Sequence, residues 1–131
     1  MDEKVQYWID LAEYDLKTSK ILLKGGSYLY VGFMCHQSIE KMLKALFVFR
    51  KNEYPPYTHN LIYLAKKSDI YDIITDDMKN VLDLLEPFHI EARYPKEKER
   101  VLRSLTKERC SAIIRSTEDV AEWIKKRLSD V

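Results

Sequence analysis

Punctuation is scarce in this chain, which has three glycines and four prolines among its 131 residues. Glycine and proline are the residues that most often end helices and open turns, so their scarcity predicts long, uninterrupted helices. Only two cysteines are present, Cys35 and Cys110, and both fall at apolar positions of predicted helices. There is no CxxC pair and no dense His/Cys cluster, so no structural zinc site is expected, only two buried thiols. Neither sign of charge dominates: 22 basic residues against 21 acidic ones leave a net charge of +1. That removes any global electrostatic pull toward nucleic acid and leaves at most a local basic patch. No apolar run approaches membrane-spanning length, and Met1-Asp2-Glu3-Lys4 lacks the basic-then-apolar pattern of a secretory signal. A cytoplasmic protein with no membrane partner is the expectation. Repeats, low-complexity segments and strand-hairpin signals are also missing.

What is present is a composition suited to a packed core, 46% hydrophobic and 33% charged, in a length natural to one domain, residues 1–131. A first helix is predicted over about Asp2 to Lys24, with Val5, Trp8, Ala12, Leu16, Ser19, Leu22 and Leu23 along one face and Gly25-Gly26 as its stop. A second covers about Ser27 to Asn52 and is broken by Tyr54-Pro55-Pro56-Tyr57. Thr58 is the predicted N-cap of a short helix reaching Lys67, and Ser68-Asp69 opens a turn. A further helix is expected from about Thr75 to Ala92, kinked or restarted at Pro87 and ended by Arg93-Tyr94-Pro95. The last spans about Thr106 to Leu128, where Cys110, Ile113, Ile114, Thr117, Val120, Ala121, Ile124 and Leu128 form a seam at three- and four-residue spacing. The predicted fold class is all-α: an antiparallel, up-and-down bundle of four to five helices.

The second predicted helix carries the most information. At about 100° per residue, His36, Glu40, Lys44, Gln37 and Lys41 spread across one side, while Met34, Cys35, Ile39, Met42, Ala45, Leu46 and Phe49 occupy the other. Phe33, Leu43, Phe47 and Val48 lie beside or among the polar residues, and a solvated face rarely carries that much apolar area. The polar stripe is therefore expected to meet another helix, a second copy of the chain or a ligand. Structural use of the same residues stands beside this, since Glu40 and Lys44 are also an ordinary i, i+4 pair. Asp15 lies on the apolar face of the first helix. A carboxylate there needs a cation, with Lys41, Lys44 and Arg93 as candidates, in a structural pairing.

Several segments together resemble the HEPN domain family. Trp8, Ala12, Asp15 and Leu16 match its opening pattern. Gly26-Ser27-Tyr28, followed by Cys35-His36-Gln37-Ser38-Ile39-Glu40-Lys41 and Leu43-Lys44-Ala45, is similar to its signature helix. Thr58-His59-Asn60-Leu61 and Ala92-Arg93-Tyr94-Pro95 resemble two later segments in the family's order, and the likeness runs through nearly the whole chain. It implies a helical bundle, often a homodimer, frequently encoded beside or fused to a minimal nucleotidyltransferase. It also implies links to nucleotide binding and to toxin–antitoxin systems. Several branches of the family are ribonucleases with an Arg, four to six intervening residues and a His. This chain departs from that pattern. Its histidines are His36, His59 and His89, with no arginine at the required interval before any of them; eight residues separate Arg50 from His59, and Arg93 follows His89.

Metal-independent RNA cleavage needs a base near the 2′-hydroxyl and a cation for the developing charge, roles that His59 and Arg93 would have to fill. Nucleotide binding asks for less: Lys or Arg for phosphate and an aromatic face for the base. Lys41, Lys44 and Arg93 offer the first, Tyr94 and Tyr57 the second. Neither GxxxxGK[ST] nor GxGxxG is present, so a nucleotide site must be assembled from side chains between helices, with no metal or cofactor called for. The leading expectation is a nucleotide-binding or partner-binding module, homodimeric, acting with a nucleotidyltransferase partner as in toxin–antitoxin systems. Its site or interface would be drawn from His36, Gln37, Glu40, Lys41, Lys44, His59, Arg93 and Tyr94. A ribonuclease with a displaced Arg/His pair is the first alternative, and RNA therefore ranks behind nucleotide as a ligand. A non-catalytic dimeric scaffold is the second.

Overall fold

The architecture was obtained as a computed structural model that describes residues 2–91, 99–100 and 103–129. Its described elements are five helices with no strand among them: α1 (Glu3–Lys24), α2 (Leu29–Lys51), α3 (Leu61–Lys67), α4 (Asp76–Glu91) and α5 (Lys107–Ser129). No described helix is long and apolar enough to cross a membrane.

α1 begins at Asp2, whose carboxylate accepts the Lys4 N–H at 2.8 Å, so one of the N–H groups left unpaired at a helix start is satisfied. It ends where the sequence puts two glycines. Gly26 takes φ 78°, a left-handed conformation that costs a glycine little, and the next N–H, of Ser27, reaches back to the Leu22 carbonyl at 2.9 Å. The tight reversal lays α2 against α1, and a buried crosslink pins the pair: the Ser38 hydroxyl donates to the Ala12 carbonyl at 2.7 Å.

α2 is the central element, packed against all four other helices. Fifteen of its 23 residues are buried, so it has no true solvent face and its polar row must be met inside the molecule. Gly32 sets the crossing with α4. A Cβ at this position would lie 2.5 Å from Phe88 Cγ and 2.8 Å from both Cδ atoms, because the Phe88 ring sits flat on the α2 backbone.

One boundary differs from expectation. The cap of α3 is Asn60 rather than Thr58: Asn60 Oδ1 accepts the Tyr63 N–H at 2.9 Å, while the Thr58 hydroxyl accepts the Asn60 N–H at 3.2 Å and holds the approach to the helix. Of the two outcomes expected at Pro87, a kink or a restart, the restart does not occur: α4 runs on through it, and Leu85 and Phe88, buried on either side, keep the chain seated on the core. The predicted stop at Arg93-Tyr94-Pro95 lies outside the described residues. The seam foreseen for the last helix is the buried face of α5. Cys35 and Cys110 are both free and buried, and burial pushes the Cys35 thiol up from 9.0 to about 11, which makes it a packing group rather than a nucleophile.

Candidate functional site

All three histidines of the chain converge, although each arrives on a different element. His36 comes from the buried side of α2, His59 from the segment leading into α3, and His89 from the last turn of α4. The His36 and His89 rings stack with centroids 4.9 Å apart and planes at 23°, and His89 lies 4.3 Å from His59 at 33°. Phe33, one turn before His36, extends the column on the His89 side at 6.2 Å.

Two carboxylates bind this column to the rest of the fold. Glu40 is buried, with Oε1 2.7 Å from His59 Nδ1 and Oε2 3.2 Å from Lys44 Nζ. An ionised carboxylate can only accept, so His59 donates its Nδ1–H to Glu40 and leaves Nε2 as the ring nitrogen open to a ligand. The His59 side chain is 46% exposed, so this imidazole stands at the edge of the cluster within reach of a ligand. Glu86, one turn before His89, accepts the Leu61 N–H at 2.6 Å through Oε1 and sits 3.7 Å from His36 Nε2. Burial would raise its pKa, but His36, the Leu61 N–H and the neighbouring His89 outweigh that and hold the carboxyl below its ordinary value. His36 itself is fully enclosed, and neither ring nitrogen has a hydrogen-bond partner among the described residues. A buried polar atom left this way is costly unless something else meets it.

Lys44 links the cluster to a second feature. Its Nζ lies 5.5 Å from the Trp8 ring centroid, a cation–π contact that helps hold an ammonium in a nearly dry place. Trp8 also walls an apolar cavity of about 410 Å³ with Tyr7, Val48, Tyr54 and Pro55. The Tyr7 and Tyr54 rings meet Trp8 edge-on at 5.3 and 6.3 Å. Tyr57 is almost wholly exposed and its ring is 6.4 Å from His59.

The residues singled out in the sequence divide into three groups. His36, Glu40, Lys44 and His59 are brought together. Lys41 and Gln37 lie half-buried on the flank of the row, and Lys41 pairs with Asp15 on α1. Arg93 and Tyr94 lie outside the described residues. Reading the sequence missed His89 and Glu86, although their three-residue spacing on a predicted helix puts both on one face and was the available signal. Among the described residues no group of three or more His, Cys, Asp or Glu is arranged to hold a metal ion; stacked imidazoles present ring faces to one another, not converging lone pairs.

The Asp15–Lys41 pair carries a prediction of its own. Asp15 is buried and Lys41 only partly exposed, so Asp15→Ala should cost about 1–3 kcal/mol, less than a fully buried pair because Lys41 can turn to water. Urea denaturation measures it. A midpoint equal to that of the unaltered protein would mean the pair adds nothing.

The family model described as HEPN domain matches residues 5–128. The protein named "Putative toxin MJ1304" from Methanocaldococcus jannaschii is 29% identical over 132 residues, covering 94% of this chain and 87% of that one. Two crystal structures share the fold. TT1696 from Thermus thermophilus superposes with a TM-score of 0.81 at 18% identity, over 95% of this chain and 98% of its own. ST0689, described as an archaeal HEPN homologue, gives 0.74 at 22%, over 98% and 100%.

Proposed function

Because this chain belongs to the HEPN domain family, we propose that it is a toxin-type HEPN module whose histidine cluster binds a nucleotide and which works with a minimal nucleotidyltransferase partner. The observation that carries the reading is the convergence of His36, His59 and His89 on Glu40, Glu86 and Lys44. Structural imidazoles scattered through a fold have no reason to collect in one column. His59 at the edge supplies a donor or acceptor for a phosphate or ribose oxygen, and Tyr57 beside it offers a face for a base. The aromatic-walled cavity at Trp8 is of a size suited to a small planar group. The toxin naming of the archaeal relative supports the biological setting, and the family resemblance supports the partner.

One contact favours a second reading. An imidazole oriented by a buried carboxylate, as Glu40 orients His59, is also the arrangement of a general base, which suits phosphodiester cleavage. Two assays on one purified sample separate the readings: calorimetric titration with nucleotides, and cleavage of labelled single-stranded RNA. Saturable binding without cleavage, weakened at least tenfold by His59→Ala, is expected. Cleavage abolished by His59→Ala would replace the binding module with a ribonuclease. No binding and no cleavage would remove both.

A further inference from the structure

The cavity at Trp8 carries charge that the packing of the chain does not explain. Beside its aromatic walls, Glu3, Lys4 and Glu53 also line it. Glu3 lies in the first turn of α1, where the positive end of a helix favours an acid. Glu53 stands in the opposite situation. It follows Asn52, the left-handed residue that closes α2, and so sits by the negative end of that helix, where an acid is disfavoured. The two cations before it are committed elsewhere. Lys51 pairs with Asp69, and Arg50 donates to the carbonyls of Ser68 at 3.2 Å and Asp69 at 3.4 Å. Glu53 is exposed and, like Lys4, has no ion-pair partner among the described residues. An acid placed this way on an aromatic cavity is suited to accept hydrogen bonds from a ligand.

What enters must be flat and must present donors along one edge. Among the nucleobases this separates guanine from the rest. Its N1–H and 2-amino group lie side by side and match the two oxygens of one carboxylate, while its O6 and N7 accept from a lysine. Adenine reverses that edge, setting an amino group toward the ammonium and the bare N1 toward the acid. Cytosine has one amino group beside an acceptor, and uracil a single N–H between two carbonyls. The volume of about 410 Å³ lies in the range of small-molecule sites and admits a two-ring base.

We infer that the Trp8 cavity is the base subsite of the bound nucleotide and that it selects guanine, with Glu53 accepting from N1–H and the 2-amino group and Lys4 donating to O6. This deepens the nucleotide reading and rests on it. Tyr57 offers a base one face in open solvent, whereas Trp8 with the edge-on rings of Tyr7 and Tyr54 walls a cavity. Lys44 joins the two ends of the ligand. It touches the Trp8 ring on one side and, through Glu40, is tied to His59 on the other. The base therefore falls to Trp8 and the phosphate to His59.

Free nucleosides test this on the full chain, because without a phosphate they report the cavity apart from His59. Binding is read as quenching of Trp8 fluorescence in a Trp123→Phe background, since the chain has two tryptophans. Circular dichroism checks that each variant keeps its helices. Guanosine should bind at least tenfold more tightly than adenosine, cytidine or uridine, with inosine, which lacks the 2-amino group, in between. Glu53→Gln keeps one acceptor but turns a donor toward the base, so it should weaken guanosine at least tenfold and narrow the gap to adenosine. Lys4→Met should weaken guanosine as well. His59→Ala should weaken guanosine monophosphate, titrated by calorimetry, far more than guanosine. Equal binding of adenosine and guanosine, indifference of guanosine to Glu53→Gln, or no quenching by any nucleoside or by guanosine monophosphate would overturn the inference. Calorimetric binding of the monophosphate with Trp8 unmoved would overturn it too, and would leave the nucleotide reading in place. Selective guanosine quenching, with monophosphate binding indifferent to His59→Ala, would do the reverse: the cavity's choice of base would stand and the histidine cluster would lose its ligand.

Discussion

Gly32→Ala is expected to destabilise the fold by about 1–3 kcal/mol, the range for overpacking a tight interior contact. Placing alanine in a helix interior normally stabilises by about 1 kcal/mol over glycine, so the expected loss has the opposite sign to helix propensity. The reason is where the new methyl would sit: 2.5 Å from Cγ and 2.8 Å from both Cδ atoms of Phe88. These atoms lie at the root of the ring, so rotating a flexible end cannot relieve the clash. Either α4 retreats from α2 or Phe88 leaves its buried site. A control separates crossing geometry from any other cause. In a Phe88→Ala background the obstacle is gone, and Gly32→Ala should turn neutral or stabilising. Urea denaturation of the four proteins gives the cycle; additive effects would show that the contact does not govern the crossing. The site should respond too. Phe88 neighbours His89 in the chain, so a displaced α4 pulls His89 from between His36 and His59, and nucleotide affinity should fall with stability.

The same contact explains which parts of the site could be read from sequence. α1, α2 and α5 were legible because each buries a long apolar seam at three- and four-residue spacing, and such periodicity survives small errors of boundary. The short entry to α3 was less so. Thr58 and Asn60 both make good caps, and the choice turned on which side chain reaches the N–H of Tyr63, a matter of backbone direction after Pro55-Pro56. The polar row of α2 was legible as buried because Phe33, Leu43, Phe47 and Val48 crowd it. Its partners were not. That His89 and Glu86 face His36 depends on how α4 crosses α2, and the crossing is set by a glycine that looks unremarkable as a letter in a helix. Asp15 showed its need for a cation through charge on an apolar face; the choice of Lys41 belongs to the α1–α2 register.

Glu40 should prove the most costly polar residue to remove. Its two oxygens serve two elements: one meets Lys44 at 3.2 Å on its own helix, the other meets His59 at 2.7 Å on the way into α3. Both members of the lysine pair are nearly enclosed, at 5% and 9% side-chain exposure. Unlike Lys41, then, Lys44 cannot simply turn to water. Glu40→Ala leaves an ammonium with only the Trp8 ring for company, and breaking a buried pair from one side typically costs about 3–5 kcal/mol. The loss should come from the stranded charge rather than from the missing bond. If so, Glu40→Gln combined with Lys44→Met, which removes both charges at similar volume, should recover most of it. Denaturation midpoints of the single and double variants make the comparison. A Glu40→Ala midpoint close to that of the unaltered protein, or a double variant no better than the single, would refute the stranded-charge account. Function should not return with stability. In the double variant the carboxylate becomes an amide, whose oxygen can accept the His59 Nδ1–H but whose NH2 can equally donate to a bare Nδ1, so His59 should lose its single tautomer in nitrogen-resolved NMR spectra. Nucleotide binding should then stay weak in a protein as stable as the original, which separates the orienting role of Glu40 from its structural one.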